Sequence, residues 1–262
     1  MRIARFTTGD DPAYGLVDGS GKKIAEITGD PLYQRIELTG TVHEIDDVRL
    51  LAPVIPRSKV VAVGRNYAAH AAEMGNDVPT EPLMFLKPNT SVVGPGDPVF
   101  YPRQSSEVHY EGELAVVIGR TARDVTERDA MTHVLGLTCA NDVTAHDWRA
   151  DGQWTRAKSA DTFCPLGPWI ETDLEKLDFT NTPIKAHLTR DGVTETKQDS
   201  NSNQMIMNLG EIIEFITASM TLLPGDVICT GSPAGTAEMF PGDRIEVEIP
   251  GIGSLANPVE RA

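Results

Sequence analysis

Two glutamates separated by one glycine, Glu111 and Glu113, open the segment His109 to Arg120, H-Y-E-G-E-L-A-V-V-I-G-R. Leu114 to Ile118 is a short, β-branched apolar run, which predicts a strand buried on both faces. Side chains alternate along a strand, so the two carboxylates point the same way. Like charges that close repel, and burial strengthens the repulsion. The pair therefore either stays in solvent at a strand end or shares a cation. A second apolar run, Leu135 to Ala140, ends in Asn141-Asp142-Val143-Thr144. An acid placed where a strand stops can turn back toward the face of a neighbouring strand. Glu111, Glu113 and Asp142 would then form an all-oxygen site, which suits Mg2+ or Mn2+. No histidine or cysteine cluster with zinc spacing competes for that role.

A candidate base lies upstream. Lys59 to Val63 reads as a strand, Gly64-Arg65-Asn66-Tyr67 as a turn, and Ala68 to Met74 as a helix stopped by Gly75. On that helix His70 and Glu73 are neighbours on one face. A carboxylate beside an imidazole holds its tautomer and raises its basicity, as a general base requires. The same spacing also describes an ordinary surface pair. Glycine-bearing turns between strand and helix often line clefts, and Arg65 on this one is read as a substrate contact. Lys158, amid small and apolar neighbours, is either a solvated lysine or a buried counter-charge. In the second case three carboxylates, a divalent ion and Lys158 together come to neutrality.

The elements that must position these groups belong to a chain of 262 residues, 40% hydrophobic. That length suits one large domain, or a large and a small one. Residues 1–55 read as a small β-rich lobe: Ile3 to Thr7 is a strand, and Asp18-Gly19-Ser20-Gly21 is a hairpin turn. Leu51 to Pro56, with two prolines, reads as a linker, and residues 56–262 as the catalytic domain. Within the latter, Thr126 to Val134 is expected as a helix capped by Thr126. Ala145 to Gln153 is expected as a short lid helix. Ile184 to Thr189 and Glu195 to Gln198 flank a second hairpin turn at Asp191-Gly192. Asn208 to Ser219 is an amphipathic helix that starts on a capping-box pattern, Asn208 and Glu211. Leu223-Pro224-Gly225-Asp226 and Phe240-Pro241-Gly242-Asp243 are two Pro-Gly turns that feed strands.

The net charge of −15 argues against nucleic acid and anionic membranes as partners, and an anionic substrate would need local cations or a metal. The three cysteines, Cys139, Cys164 and Cys229, are an odd count among apolar or small neighbours, as in a reduced cytoplasmic protein. Arg2 and Arg5 are not followed by an apolar signal segment. No run approaches the roughly 20 apolar residues of a membrane span.

Five stretches, in order, resemble the fumarylacetoacetate hydrolase family, in particular its bacterial 2-hydroxyhepta-2,4-diene-1,7-dioate isomerase and acylpyruvase-like branch. They are Gly64 to Gly75 (GRNYAAHAAEMG), the His109 segment, Asn141 to Asp147 (NDVTAHD), Ala157 to Pro168 (AKSADTFCPLGP) and Leu223 to Gly235 (LPGDVICTGSPAG). The resemblance implies an α+β, β-rich fold, a mixed β-roll carrying a small N-terminal β lobe. It implies Mg2+ or Mn2+ on Glu111, Glu113 and Asp142, a His70–Glu73 dyad, Lys158 as an oxyanion contact, Thr230 on a substrate carboxylate, and a homodimer. The substrate would be a small 2-oxo or 2-enol acid that chelates the metal, with an enolate formed in isomerisation, acylpyruvate hydrolysis or oxaloacetate decarboxylation. The first two reactions are preferred. A non-catalytic acid-binding protein on the same fold is the rival reading, disfavoured by the presence of His70, Glu73 and Lys158 together. Two positions depart from the family pattern: His146 stands where arginine is usual, and Arg149 where glutamine is common. Both belong to the expected lid. If that segment is helical the two are neighbours, and Arg149 is expected to supply the missing positive charge to a substrate's anionic end.

Overall fold

The computed structural model describes residues 1–73, 75, 77–149 and 152–262. Most of the chain is strand. Gly112–Ile118 is buried at every position, because both of its faces are covered. Leu114, Val116 and Ile118 pack with Ile212 and Ile216 of the helix Leu209–Ser219. Ala115 and Val117 point the other way, onto Val60, Ala62 and Cys164. Period-two alternation therefore divides the core into two halves with this strand between them.

The strand is flanked antiparallel by Val134–Asn141 and by Val227–Cys229. Val60–Gly64 follows parallel to Val227–Cys229, and Leu83–Lys87 closes that end. On the other side Val134–Asn141 pairs with Cys164–Glu171, which pairs with Arg2–Thr7 (Arg2 opposite Glu171). The N-terminal meander of Arg2–Thr7, Ala13–Val17, Lys23–Ile27 and Leu38–Glu44 is thus hydrogen-bonded into one twelve-stranded sheet with the rest. Trp169 contributes to the cluster that covers Phe6 and Ile24. A five-stranded sheet, built on the hairpin Pro183–Arg190 and Val193–Asn201, and a three-stranded sheet complete the mixed β-roll. Among the described residues no helix is long and apolar enough to cross a membrane.

Both hairpins form at the expected turns, and the carboxylate of Asp18 accepts from the Lys22 N–H at 3.0 Å. Asn208 and Glu211 make the reciprocal capping box of Leu209–Ser219. The helix expected over Thr126 to Val134 is shorter. Only Glu127–Ala130 is α-helical, and Met131–His133 tightens to a 3-10 turn before Val134 enters its strand. Thr126 does not cap it: its hydroxyl donates to the Asp129 carboxylate at 3.1 Å, a local partner that competes with the backbone. The expected lid helix is likewise divided, into the 3-10 turn His146–Arg149 and the helix Trp154–Lys158; Ala150 and Asp151 between them, and Met74 at the end of the first helix, lie outside the described residues.

Candidate metal centre

Glu111 stands where the chain changes sheets. Val108–Tyr110 belongs to the three-stranded sheet and Gly112–Ile118 to the large one. The Glu111 N–H donates to the Asn141 side-chain oxygen at 2.9 Å, and its carbonyl accepts from the Asp142 N–H at 2.8 Å. That exchange ties the break in one strand to the end of its neighbour. Glu113 lies opposite Ala140, and Asp142 is the first residue past Asn141. The three carboxylates offer oxygen atoms within 4.8 Å of one another, all buried.

Two buried lysines oppose this charge. Lys158 Nζ lies 2.8 Å from Glu111 Oε2 and 2.6 Å from Asp142 Oδ2. Lys87 Nζ lies 2.5 Å from Asp142 Oδ1 and also donates to the Lys158 carbonyl. Thr144 donates to Glu111 Oε1 at 2.7 Å, and the Gly231 N–H to Glu113 Oε2 at 2.8 Å. Burial acts against the charge of Glu111, but Lys158, His70 and these hydrogen bonds outweigh it and hold the carboxyl down to about 2. Among the described residues no lysine forms an ion pair with Glu113, and the more distant charge of Lys158 offsets its burial only in part. Burial first, then the charges of Asp142 and Glu111, push it well above the usual carboxylate range. Three carboxylates against two lysines leave one negative charge uncompensated, and the raised value of Glu113 marks where that excess falls. An all-oxygen donor set with that deficit fits a hard divalent ion.

The dyad forms as expected: His70 Nδ1 lies 3.2 Å from Glu73 Oε2, and His70 is buried. Glu73 is itself held by the Gly235 N–H, at 3.1 and 3.3 Å. His146 Nε2 lies 4.0 Å from Glu111 Oε1, and its ring stacks on His109 at 3.8 Å. Burial and the neighbouring His109 push the His146 imidazole down to about 3, so it is neutral at pH 7. Arg149 occupies the same 3-10 turn, and its guanidinium lies over the Trp154 ring, as does that of Arg65. Thr230 is fully buried, and its hydroxyl donates to the Leu114 carbonyl at 2.8 Å. The structure thus brings the next backbone N–H, that of Gly231, to a carboxylate, and this carboxylate is the protein's own Glu113.

Sequence reasoning missed Lys87, His109 and Trp154. For Lys87 a signal existed: Phe85 and Lys87 are the alternating inward positions of Leu83–Lys87, and a lysine on the inward face of a strand calls for a buried acid.

Residues 59–260 match the model of the fumarylacetoacetate hydrolase C-terminal domain, and residues 1–53 match the Rv2993c-like N-terminal model. The chain belongs to the fumarylacetoacetate hydrolase family. It is 40% identical to the mitochondrial oxaloacetate tautomerase fahd2 of Xenopus laevis, over 81% of this chain and 69% of that protein. Among solved structures it is similar to 5-carboxymethyl-2-hydroxymuconate delta-isomerase from Mycobacterium smegmatis, 44% identical with a TM-score of 0.89 and all of both chains covered. It is also similar to maleylpyruvate hydrolase from Sphingobium sp. SYK-6 in complex with manganese(II) ion and pyruvate, 31% identical with a TM-score of 0.80, again over both full chains.

Proposed function

We propose that the protein is a divalent-metal-dependent enzyme that isomerises small 2-oxo or 2-enol acids, using Mg2+ or Mn2+ on Glu111, Glu113 and Asp142. The observation that carries this reading is the His70–Glu73 pair beside three buried acids. A divalent ion there supplies Lewis-acid stabilisation for negative charge that develops at a 2-oxygen. Glu73 accepts the Nδ1 proton of His70 and so leaves Nε2 free as the base. Nε2 takes a proton from carbon next to the 2-oxo group and returns it elsewhere, which is isomerisation or tautomerisation. Lys158 adds positive field on the Glu111 and Asp142 side. The names of the relatives support a proton-transfer chemistry, since a tautomerase and an isomerase share that step.

Hydrolysis of an acylpyruvate is a second reading. The same Nε2 can deprotonate water, and the likeness to maleylpyruvate hydrolase favours it. Decarboxylation of oxaloacetate needs no base and makes no use of the dyad. The test is a panel of enolic 2-oxo acids followed by ultraviolet absorbance, with Mn2+ and with EDTA. Tautomerisation or isomerisation is expected with Mn2+ alone, and His70→Ala should slow it about 10²–10⁴-fold. A His70→Ala protein as fast as the parent on every substrate would exclude the base assignment. No turnover of any panel member would favour an acid-binding protein.

A further inference from the structure

We infer that Glu107, His109 and His146 form a second metal site, one that takes an imidazole-binding transition ion such as Zn2+. It lies outside the cluster of three buried acids and stands whether or not those acids hold an ion. Spacing along the chain hides it, because His109 and His146 are far apart in sequence and only strand pairing brings them together. Val108–Tyr110 runs antiparallel to Thr144–Ala145, with Val108 opposite Ala145 and His109 opposite Thr144. The His146 N–H continues this ladder and donates to the Glu107 carbonyl at 2.8 Å, so His146 stands opposite Glu107. Glu107 and His109, two apart on one strand, share a face. Residues directly opposite share it too. Backbone pairing therefore puts all three side chains on one face.

One oxygen of Glu107 is the meeting point. Glu107 Oε1 lies 3.1 Å from His109 Nε2 and 3.7 Å from His146 Nδ1. Ligand atoms around a tetrahedral zinc with bonds of about 2.0–2.1 Å stand roughly 3.4 Å apart, so this spacing is that of a coordination shell. Two imidazoles and one carboxylate are a donor set that zinc takes, with water or a small ligand in the fourth position. Among the described residues no Lys or Arg pairs with the Glu107 carboxylate, which leaves its charge for a cation. The two rings stack at 3.8 Å between centres and 13° between planes, so their lone pairs run side by side. A turn of one ring about its Cβ–Cγ bond brings them to one point. Nδ1 of His109 is buried without a hydrogen-bond partner, so no bond on that side resists the turn. With Nδ1 of His146 on the ion, its Nε2 becomes an N–H that faces Glu111 Oε1 at 4.0 Å. Histidine ligands commonly give their second N–H to a carboxylate, and here that carboxylate belongs to the acid cluster. An ion at this site thus pins the turn His146–Arg149 to the sheet and couples it to Glu111.

The test is the visible spectrum of Co2+, which stands in for zinc and reports its own ligands and geometry. Four-coordinate Co2+ with imidazole ligands absorbs far more strongly than six-coordinate Co2+ among oxygens. The full chain, stripped with EDTA, should develop strong bands that saturate at one Co2+ per chain, and Zn2+ should abolish them. His109→Gln and His146→Arg should each remove the bands. Glu113→Gln, which alters the acid cluster alone, should keep them. Competition with a chelating dye should show Zn2+ bound at least about 100-fold more weakly by Glu107→Gln, beyond the roughly 10–100-fold typical of groups that only orient a ligand. The Glu107 side chain is half exposed, so this variant decides the matter even where a histidine variant fails to fold. Weak bands alone in the unaltered protein, strong bands that survive either histidine substitution, or unchanged Zn2+ affinity in Glu107→Gln overturn the inference. Bands lost in Glu113→Gln would assign the ion to the acid cluster and overturn it as well.

Discussion

On the proposed metal reading, a proton and a divalent ion compete at Glu113. Its carboxyl is raised well above the usual value of 4.5 by burial and by Asp142 and Glu111. An acid whose folded value is raised holds its proton in the native state after the unfolded chain has released it. Its stabilising effect is complete below 4.5 and is lost as pH rises through the raised value. Glu111 has the opposite sign: it stabilises above the usual value, and that contribution is lost as pH falls toward about 2. In metal-free protein, Glu113→Gln should therefore melt increasingly higher than the parent as pH rises above 4.5 toward the raised value. Mn2+ should raise the melting temperature of the parent and not of the variant. Thermal unfolding by circular dichroism checks both, and a melting difference independent of pH would mean that Glu113 titrates as a free carboxyl.

At the scale of elements, the loop after Val227–Cys229 is what presents an N–H to Glu113. Gly231 has φ of 104°, and a Cβ there would lie 2.6 Å from Asn66 Cβ and 3.2 Å from the Val63 carbonyl. Asn66 meanwhile locks this loop to the turn after Val60–Gly64 through the Thr230 carbonyl at 2.8 Å. Gly231→Ala must push the two segments apart and withdraw the N–H from Glu113. Groups that orient a metal ligand are typically worth about 10–100-fold in affinity, and a loss of that size is expected for Mn2+ in Gly231→Ala. Gly242→Ala is the control, since it shares the positive φ, at 103°, but has nothing within 4 Å of its Cβ. Paramagnetic resonance titration of Mn2+ compares the two variants, and equal affinities would show that the N–H contact does not tune the site.

At the scale of the whole molecule, we propose a homodimer. The edge strand Leu83–Lys87 carries the exposed side chains Leu83 and Leu86, apolar surface that a two-fold related copy can cover. Light scattering on the purified protein should return twice the chain mass of 28.4 kDa. Leu86→Glu should shift it toward a single chain mass, and a single mass for the unaltered protein would exclude the assembly.

What the sequence by itself determined is what depends on local period and spacing. Alternation along Gly112–Ile118 sets the face to which Glu113 points, whereas Glu111, at the break between two sheets, and Asp142, just past Val134–Asn141, meet it through strand pairing. The His70–Glu73 pair and the Asn208–Glu211 capping box follow from helix geometry over three residues. The tertiary structure alone decided contacts between residues far apart in the chain. Lys87 reaches Asp142 across 55 positions, and Gly231 reaches Glu113 across 118. Arg2 lies opposite Glu171, which joins the N-terminal strands to the main sheet. Trp154 became a platform for two arginines only once its helix was packed on Gly64 and Phe85. Local periodicity says which way a side chain points; only the closed core, where a buried charge must find its partner, says what it meets.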